Sequence, residues 1–111
     1  MTTVFGKIIS GEIPSQKYYE DEDILVIQDI YPQARVHILI IPKEPFECLQ
    51  KLPKNKLHLI QKVIEVAQQM AIKFDITDSY RLLTNNGSHA GQTIFHLHFH
   101  LIGGEPLGPM A

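Results

Sequence analysis

Three histidines stand at alternate positions near the end of the chain, in the run Ile94-Phe95-His96-Leu97-His98-Phe99-His100-Leu101-Ile102. Read as a β-strand over residues 94–102, the run puts Ile94, His96, His98, His100 and Ile102 on one face and Phe95, Leu97, Phe99 and Leu101 on the other. The second set is large and apolar throughout and is expected to pack on the core. The imidazoles then stand together on the opposite face, each about 6.5 to 7 Å from the next. Imidazole is the natural group for nucleophilic or acid–base chemistry near neutral pH. A solvated polar face and a three-histidine zinc site are the other readings. Threonine or lysine would serve a wet strand face as well. Three ligands on one straight strand lie along a line, whereas catalytic zinc gathers its ligands from several elements and keeps a position for water. Periodicity alone does not separate a catalyst from a metal site.

The rest of the chain must position this strand. Its 111 residues, 44% hydrophobic and 20% charged, suit one domain with a modest core. The formal net charge of −2 gives no basic field, so neither nucleic acid nor an anionic membrane is an expected partner. Cys48 is the only cysteine, which excludes an intramolecular disulfide and a Cys-rich metal site and fits a reducing cytosol. The N-terminal residues lack the pattern of a secretory signal. No apolar stretch reaches the roughly 18 to 20 residues a membrane span needs. A soluble, cytoplasmic protein is expected.

Residues 2–10 read as a short helix with Val4, Phe5, Ile8 and Ile9 on one side, ended by Gly11 and Pro14. Residues 17–20 and 24–29 read as strands about the acidic turn Asp21-Glu22-Asp23, and Tyr31-Pro32-Gln33 closes the second. Val36-His37-Ile38-Leu39-Ile40-Ile41 is apolar on both faces apart from one histidine, the pattern of a central strand, and Pro42 stops it. One or two helical turns are expected within residues 46–52. Residues 54–74 form the long helix, with Leu57, Ile60, Ile64, Ala67, Ala71 and Phe74 as its core stripe and Val63 and Met70 beside them. His58 is expected to be solvated on it. A strand over 80–84 and the turn Asn85-Asn86-Gly87-Ser88 precede Gly91-Gln92-Thr93, which leads into the histidine strand. About five strands and one long helix make an α+β fold with a mainly antiparallel sheet.

The segment Gln92-Thr93-Ile94-Phe95-His96-Leu97-His98-Phe99-His100-Leu101-Ile102 resembles the signature of the histidine triad (HIT) superfamily, His-x-His-x-His-x-x with apolar x. The likeness runs nearly end to end. Thr3-Val4-Phe5-Gly6-Lys7-Ile8-Ile9, Ile13-Pro14, Asp29-Ile30-Tyr31-Pro32-Gln33-Ala34, His37, Ile41-Pro42-Lys43 and Asn85-x-Gly87 look like the histidine triad nucleotide-binding (Hint) branch. The closing Pro106-Leu107-Gly108-Pro109-Met110 is similar to bacterial members of that branch.

The resemblance implies a single HIT domain over residues 1–111, whose sheet continues across a homodimer. It implies hydrolysis of purine nucleoside phosphoramidates or acyl-nucleotides through a nucleotidyl-histidine intermediate. His98 matches the nucleophile, His100 the group on the α-phosphate, and His96 the structural member of the triad. His37 matches a fourth histidine in a hydrogen-bond network behind them. Asp29 matches the carboxylate that accepts from both ribose hydroxyls, and Ile30 an apolar wall against the base. Asn85 would touch the ribose or phosphate side, and Gly91 and Gln92 would bring backbone donors to the phosphate. Thr93 replaces the serine common in the branch and keeps its hydroxyl. Many bacterial relatives carry two N-terminal cysteines that help bind a structural zinc; Thr3 and Gly6 stand at those positions, so neither metal nor cofactor is expected. His89 is expected to be a surface loop residue. Two alternatives stay open: cleavage of dinucleoside polyphosphates, and nucleotide-binding regulation with incidental hydrolysis.

Overall fold

The computed structural model describes residues 2–111. Helix α1 (Val4–Ile9) opens the chain, with the Thr3 hydroxyl capping it by accepting from the Gly6 amide at 3.2 Å. Strands β1 (Lys17–Glu20), β2 (Ile24–Gln28) and β3 (Val36–Pro42) follow as an antiparallel meander. Two short 3₁₀ turns, Leu49–Lys51 and Lys54–Lys56, lead into helix α2 (His58–Lys73). Strand β4 (Tyr80–Leu83), a 3₁₀ turn (Ser88–Ala90) and strand β5 (Phe99–Gly103) complete the sheet, in the order β1-β2-β3-β5-β4. Every neighbouring pair is antiparallel. The α+β architecture read from the sequence is the one observed.

β3 is the middle strand and every one of its residues is buried, as a strand apolar on both faces requires. Its alternation divides the core in two. Val36, Ile38 and Ile40 join Ile24, Val26, Leu97, Phe99, Leu101 and the inner side of α2 in the larger cluster. Leu39 and Ile41 join Leu25, Ile27 and the α1 residues Phe5 and Ile8 in the smaller one. The sheet is therefore a middle layer with α2 on one face and α1 on the other, and the polar residues of β3 and β5 lie on the α1 face.

Three expectations need correction. The strand expected over residues 94–102 begins only at Phe99. Its ladder with β3 starts at Ile40↔Phe99, because Pro42 has no N–H to continue it. Residues 94–98 are instead fastened singly: the Leu97 amide donates to the Phe46 carbonyl, and the Thr84 hydroxyl to the His98 carbonyl. Phe95 accordingly leaves the core face and is 48% exposed.

The stripe of α2 is also rotated from its expected place. Leu59, Val63, Val66, Ala67, Met70 and Ala71 are buried, whereas Leu57 and Ile64 are 52% and 46% exposed. The chain reaches α2 through a 3₁₀ turn, so Leu57 lies at the helix cap and the contact row runs through Leu59 and Val63. Finally, Val4 is 41% exposed, although it borders the same cavity as Phe5 and Ile8, which are the buried residues of α1.

Leu101 is fully buried and lies opposite both Ile38 and Leu82. Leu101→Ala is expected to lower unfolding free energy by about 2 to 5 kcal/mol. The measurement is a lower urea midpoint at unchanged m-value; a loss below about 1 kcal/mol would contradict this packing.

Candidate active site

On the α1 face of the sheet a cavity of about 570 Å³ opens beside β3 and β5, a volume typical of small-molecule sites. Its walls include Asp29, Ile30, His37, Thr93, His98 and His100, six of the residues expected from the sequence. Phe5, Ile8, Ile13, Ile27 and Leu39 make its apolar side, and that contribution was missed. The alternation of Ile27 on β2 and Leu39 on β3 carried part of the signal, because Leu39 shares the face of His37.

His96 does not join the open cluster. It is 2% exposed, and its Nε2–H donates to the Pro42 carbonyl at 2.7 Å, bracing the end of β3. Asn85, Gly91 and Gln92 do not line the cavity either. The Gln92 side chain is buried in a structural role: Oε1 accepts from the Gly87 amide, and Nε2 donates to the Glu47 and Ile94 carbonyls. Gly91 takes φ +103° and packs under the Asn85 carboxamide. Gln92 holds the loop that ends in Thr93, with Asn85 and Gly91 close to one another within it. His89 is exposed in the 3₁₀ turn, and His58 is exposed on α2.

The hydrogen bonds fix where each proton sits. A neutral imidazole has one donor and one acceptor nitrogen. His98 Nδ1 lies 2.7 Å from the His96 carbonyl, which can only accept, so Nδ1 carries the hydrogen and Nε2 keeps a free lone pair. His37 Nδ1 accepts from the Gln33 amide at 3.0 Å, so its hydrogen is on Nε2. That Nε2–H points at His100 Nδ1, 2.9 Å away, which must accept; the hydrogen of His100 is therefore on its own Nε2. Thus His98 offers a lone pair and His100 a donor. The Phe5 ring meets the His98 ring edge-on at 4.8 Å between centroids, and the His98 and His100 rings lie 5.2 Å apart.

Asp29 closes the cluster. Its Oδ1 accepts from the Tyr31 amide at 2.7 Å in an Asx turn, and its Oδ2 lies 3.2 Å from His37 Nε2 and 4.0 Å from His100 Nδ1. Each oxygen has a further lone pair for a ligand hydroxyl. These three side chains are close enough together to surround a cation. The Gln33 amide argues otherwise, because a metal on His37 Nε2 would move the hydrogen to Nδ1, against another N–H. Nor do the residues at the N-terminal zinc position fit that metal. Thr3 is spent as a helix cap, and Gly6 has no side chain.

Burial holds all four imidazoles neutral. Desolvation lowers the pKa of His37, His96 and His98, each against a smaller opposing pull from Asp29 or a carbonyl. His100 is driven down to about 4, first by desolvation and then by the neighbouring His98 and His37. The unfolded chain therefore binds more protons than the folded one at mildly acidic pH. The stabilisation is complete above the ordinary histidine value of 6.5 and is lost as pH falls, for His100 across the interval down to about 4. The thermal midpoint is expected to drop through that window, and less steeply in His100→Gln. Equal slopes in the two proteins would contradict the burial of a neutral His100.

The chain matches the family model "HIT domain" over residues 10–107. It is 46% identical over 109 residues to a HIT-like protein of Chlamydia pneumoniae, covering 98% of this chain and 99% of that one. It is 42% identical over 109 residues to the purine nucleoside phosphoramidase of Escherichia coli K12, covering 97% and 92%. Among solved structures, a HIT family hydrolase from Clostridium thermocellum superposes with a TM-score of 0.93 at 45% identity, covering 97% and 95%.

Proposed function

This chain belongs to the HIT-domain family, and on that premise we propose that it hydrolyses purine nucleoside phosphoramidates or acyl-nucleotides to the nucleoside monophosphate through a nucleotidyl-histidine intermediate on His98. The observation that carries this reading is the bond between His98 Nδ1 and the His96 carbonyl, which leaves the Nε2 lone pair available in the cavity. In the first displacement Nε2 attacks the α-phosphorus, and the bond from phosphorus to the amine nitrogen or acyl oxygen breaks. The His98 ring gains positive charge, which the carbonyl on Nδ1 stabilises. In the second displacement water attacks phosphorus, the phosphorus–Nε2 bond breaks, and the imidazole is restored. An amine leaving group takes a proton from solvent as it departs, and the attacking water returns one to solvent, so that the net reaction adds a hydroxyl to phosphorus and a proton to the amine.

The other residues have supporting parts. The Nε2–H of His100 stabilises charge developing on the phosphate oxygens. The Thr93 hydroxyl donates to a phosphate oxygen or the leaving group. Asp29 accepts from the ribose hydroxyls through its remaining lone pairs, and Ile30 with Phe5, Ile8 and Leu39 encloses the base. His96 and His37 orient the reacting pair. Gln92 acts by holding the loop before Thr93, with Asn85 and Gly91 close to one another within it.

Residues 1–111 are proposed to work as one HIT domain, in the cytoplasm and as a homodimer. Among the described residues no helix is long and apolar enough to cross a membrane. The exposed Leu57 and Ile64 on α2, together with the free edge of β4, support an arrangement in which helices pair and two sheets join.

His98→Asn and wild type are to be compared on adenosine phosphoramidates, acyl-adenylates and diadenosine polyphosphates under one set of conditions. Wild type is expected to prefer the first two classes, and the variant to lose on the order of 10⁴-fold or more in kcat, the scale of losing a nucleophile. Unchanged turnover would overturn the assignment of His98, and a preference for the polyphosphates would move the chain to the other activity.

A further inference from the structure

The assigned chemistry needs a hydrogen on His100 Nε2, yet nothing on His100 itself requires it. The requirement enters two residues away. The main-chain N–H of Gln33 donates to His37 Nδ1 at 3.0 Å. A main-chain amide nitrogen has no lone pair to offer, so this contact has one polarity only. It forces the hydrogen of neutral His37 onto Nε2, and the 2.9 Å contact to His100 Nδ1 passes the same polarity on. The reversed chain is just as well bonded between the two rings, but it is wrong for the reaction. His100 would donate from Nδ1 to His37 Nε2, and would present a lone pair to the phosphate oxygens.

Gln33 is held for this purpose by the turn that carries it. The Asp29 carboxylate accepts from the Tyr31 amide at 2.7 Å, and the Gln33 carboxamide donates back to the Tyr31 carbonyl at 3.0 Å. The Asp29 amide donates to the His37 carbonyl at 3.1 Å, tying both ends of the turn to β3. His37 is 3% exposed, so water does not compete for its Nδ1. The Asp29 carboxylate, 3.2 Å from His37 Nε2, favours the same tautomer through its charge. No cationic side chain opposes it at that nitrogen among the contacts of the described residues.

We infer that the main-chain amide of Gln33 is a positioning group of the active site, which sets the tautomer of His37 and through it aims the His100 Nε2–H at the substrate phosphate. The inference rests on the hydrolase reading for its consequence, but the tautomers belong to the ligand-free protein and can be read without any turnover.

The test has two parts. In wild type without ligand, ¹⁵N NMR of the imidazoles above their titration range is expected to find His37 and His100 both protonated on Nε2. Either ring protonated on Nδ1 would overturn the inference while leaving the activity of His98 untouched. In the second part the residue-33 amide is replaced by an ester, which removes the N–H and keeps the glutamine side chain. An Nδ1–H form of His37 is then expected to appear. With it, kcat is expected to fall about tenfold, the cost of a weakened hydrogen bond to developing charge, while adenosine, which has no phosphate, binds as before. A fall in kcat with wild-type tautomers, or changed tautomers with undiminished kcat, would overturn the inference. If the ester protein fails to fold, the wild-type spectrum still decides.

Discussion

Antiparallel pairing of β3 with β5 sets Leu39 opposite His100 and His37 opposite Ile102, so the two histidines emerge as diagonal neighbours on one face. The same register sets Ile38 opposite Leu101 on the other face, under α2. A slip of one residue would send the imidazoles into the large core and the core leucine into the cavity. Site and core are therefore two faces of one constraint. That is why half-buried His100 can stand beside a strand whose every residue is buried: the packing under α2 holds the backbone, and the α1 face stays open enough to admit a ligand.

The electrostatics follow from that placement. Buried imidazoles lose hydration they would need as cations, and stay neutral with each proton assigned by a main-chain partner. The His96 carbonyl assigns His98, the Pro42 carbonyl assigns His96, and the Gln33 amide assigns His37 and, through it, His100. Main-chain groups do not titrate, so the pattern of one lone pair beside one donor survives wherever the rings remain neutral. The carboxylate of the cluster, Asp29, strengthens the pattern by lying at the nitrogen that must carry a hydrogen.

Much of this was legible in the residues alone. Alternation put Leu97, Phe99 and Leu101 in the core and His98 and His100 opposite, and the apolar run around His37 marked the central strand. What the period could not give was the end of the ladder. Pro42 stops pairing with the residues before Phe99, so His96 turns inward to the proline carbonyl and Phe95 turns out. On α2 the apolar arc was wider than one contact face, and only the 3₁₀ entry decides that Leu59 and Val63, not Leu57 and Ile64, face the sheet. The part of Gln33 was out of reach, since it is played by a main-chain N–H that every residue except proline possesses.

The proposed reaction consists of two successive displacements at phosphorus, the first by His98 Nε2. Each in-line displacement inverts the configuration, so a substrate made chiral by sulfur at the α-phosphorus reports their number. Hydrolysis in ¹⁸O-water is expected to give net retention. Net inversion would mean that water attacks the substrate directly, and would contradict the account at its centre.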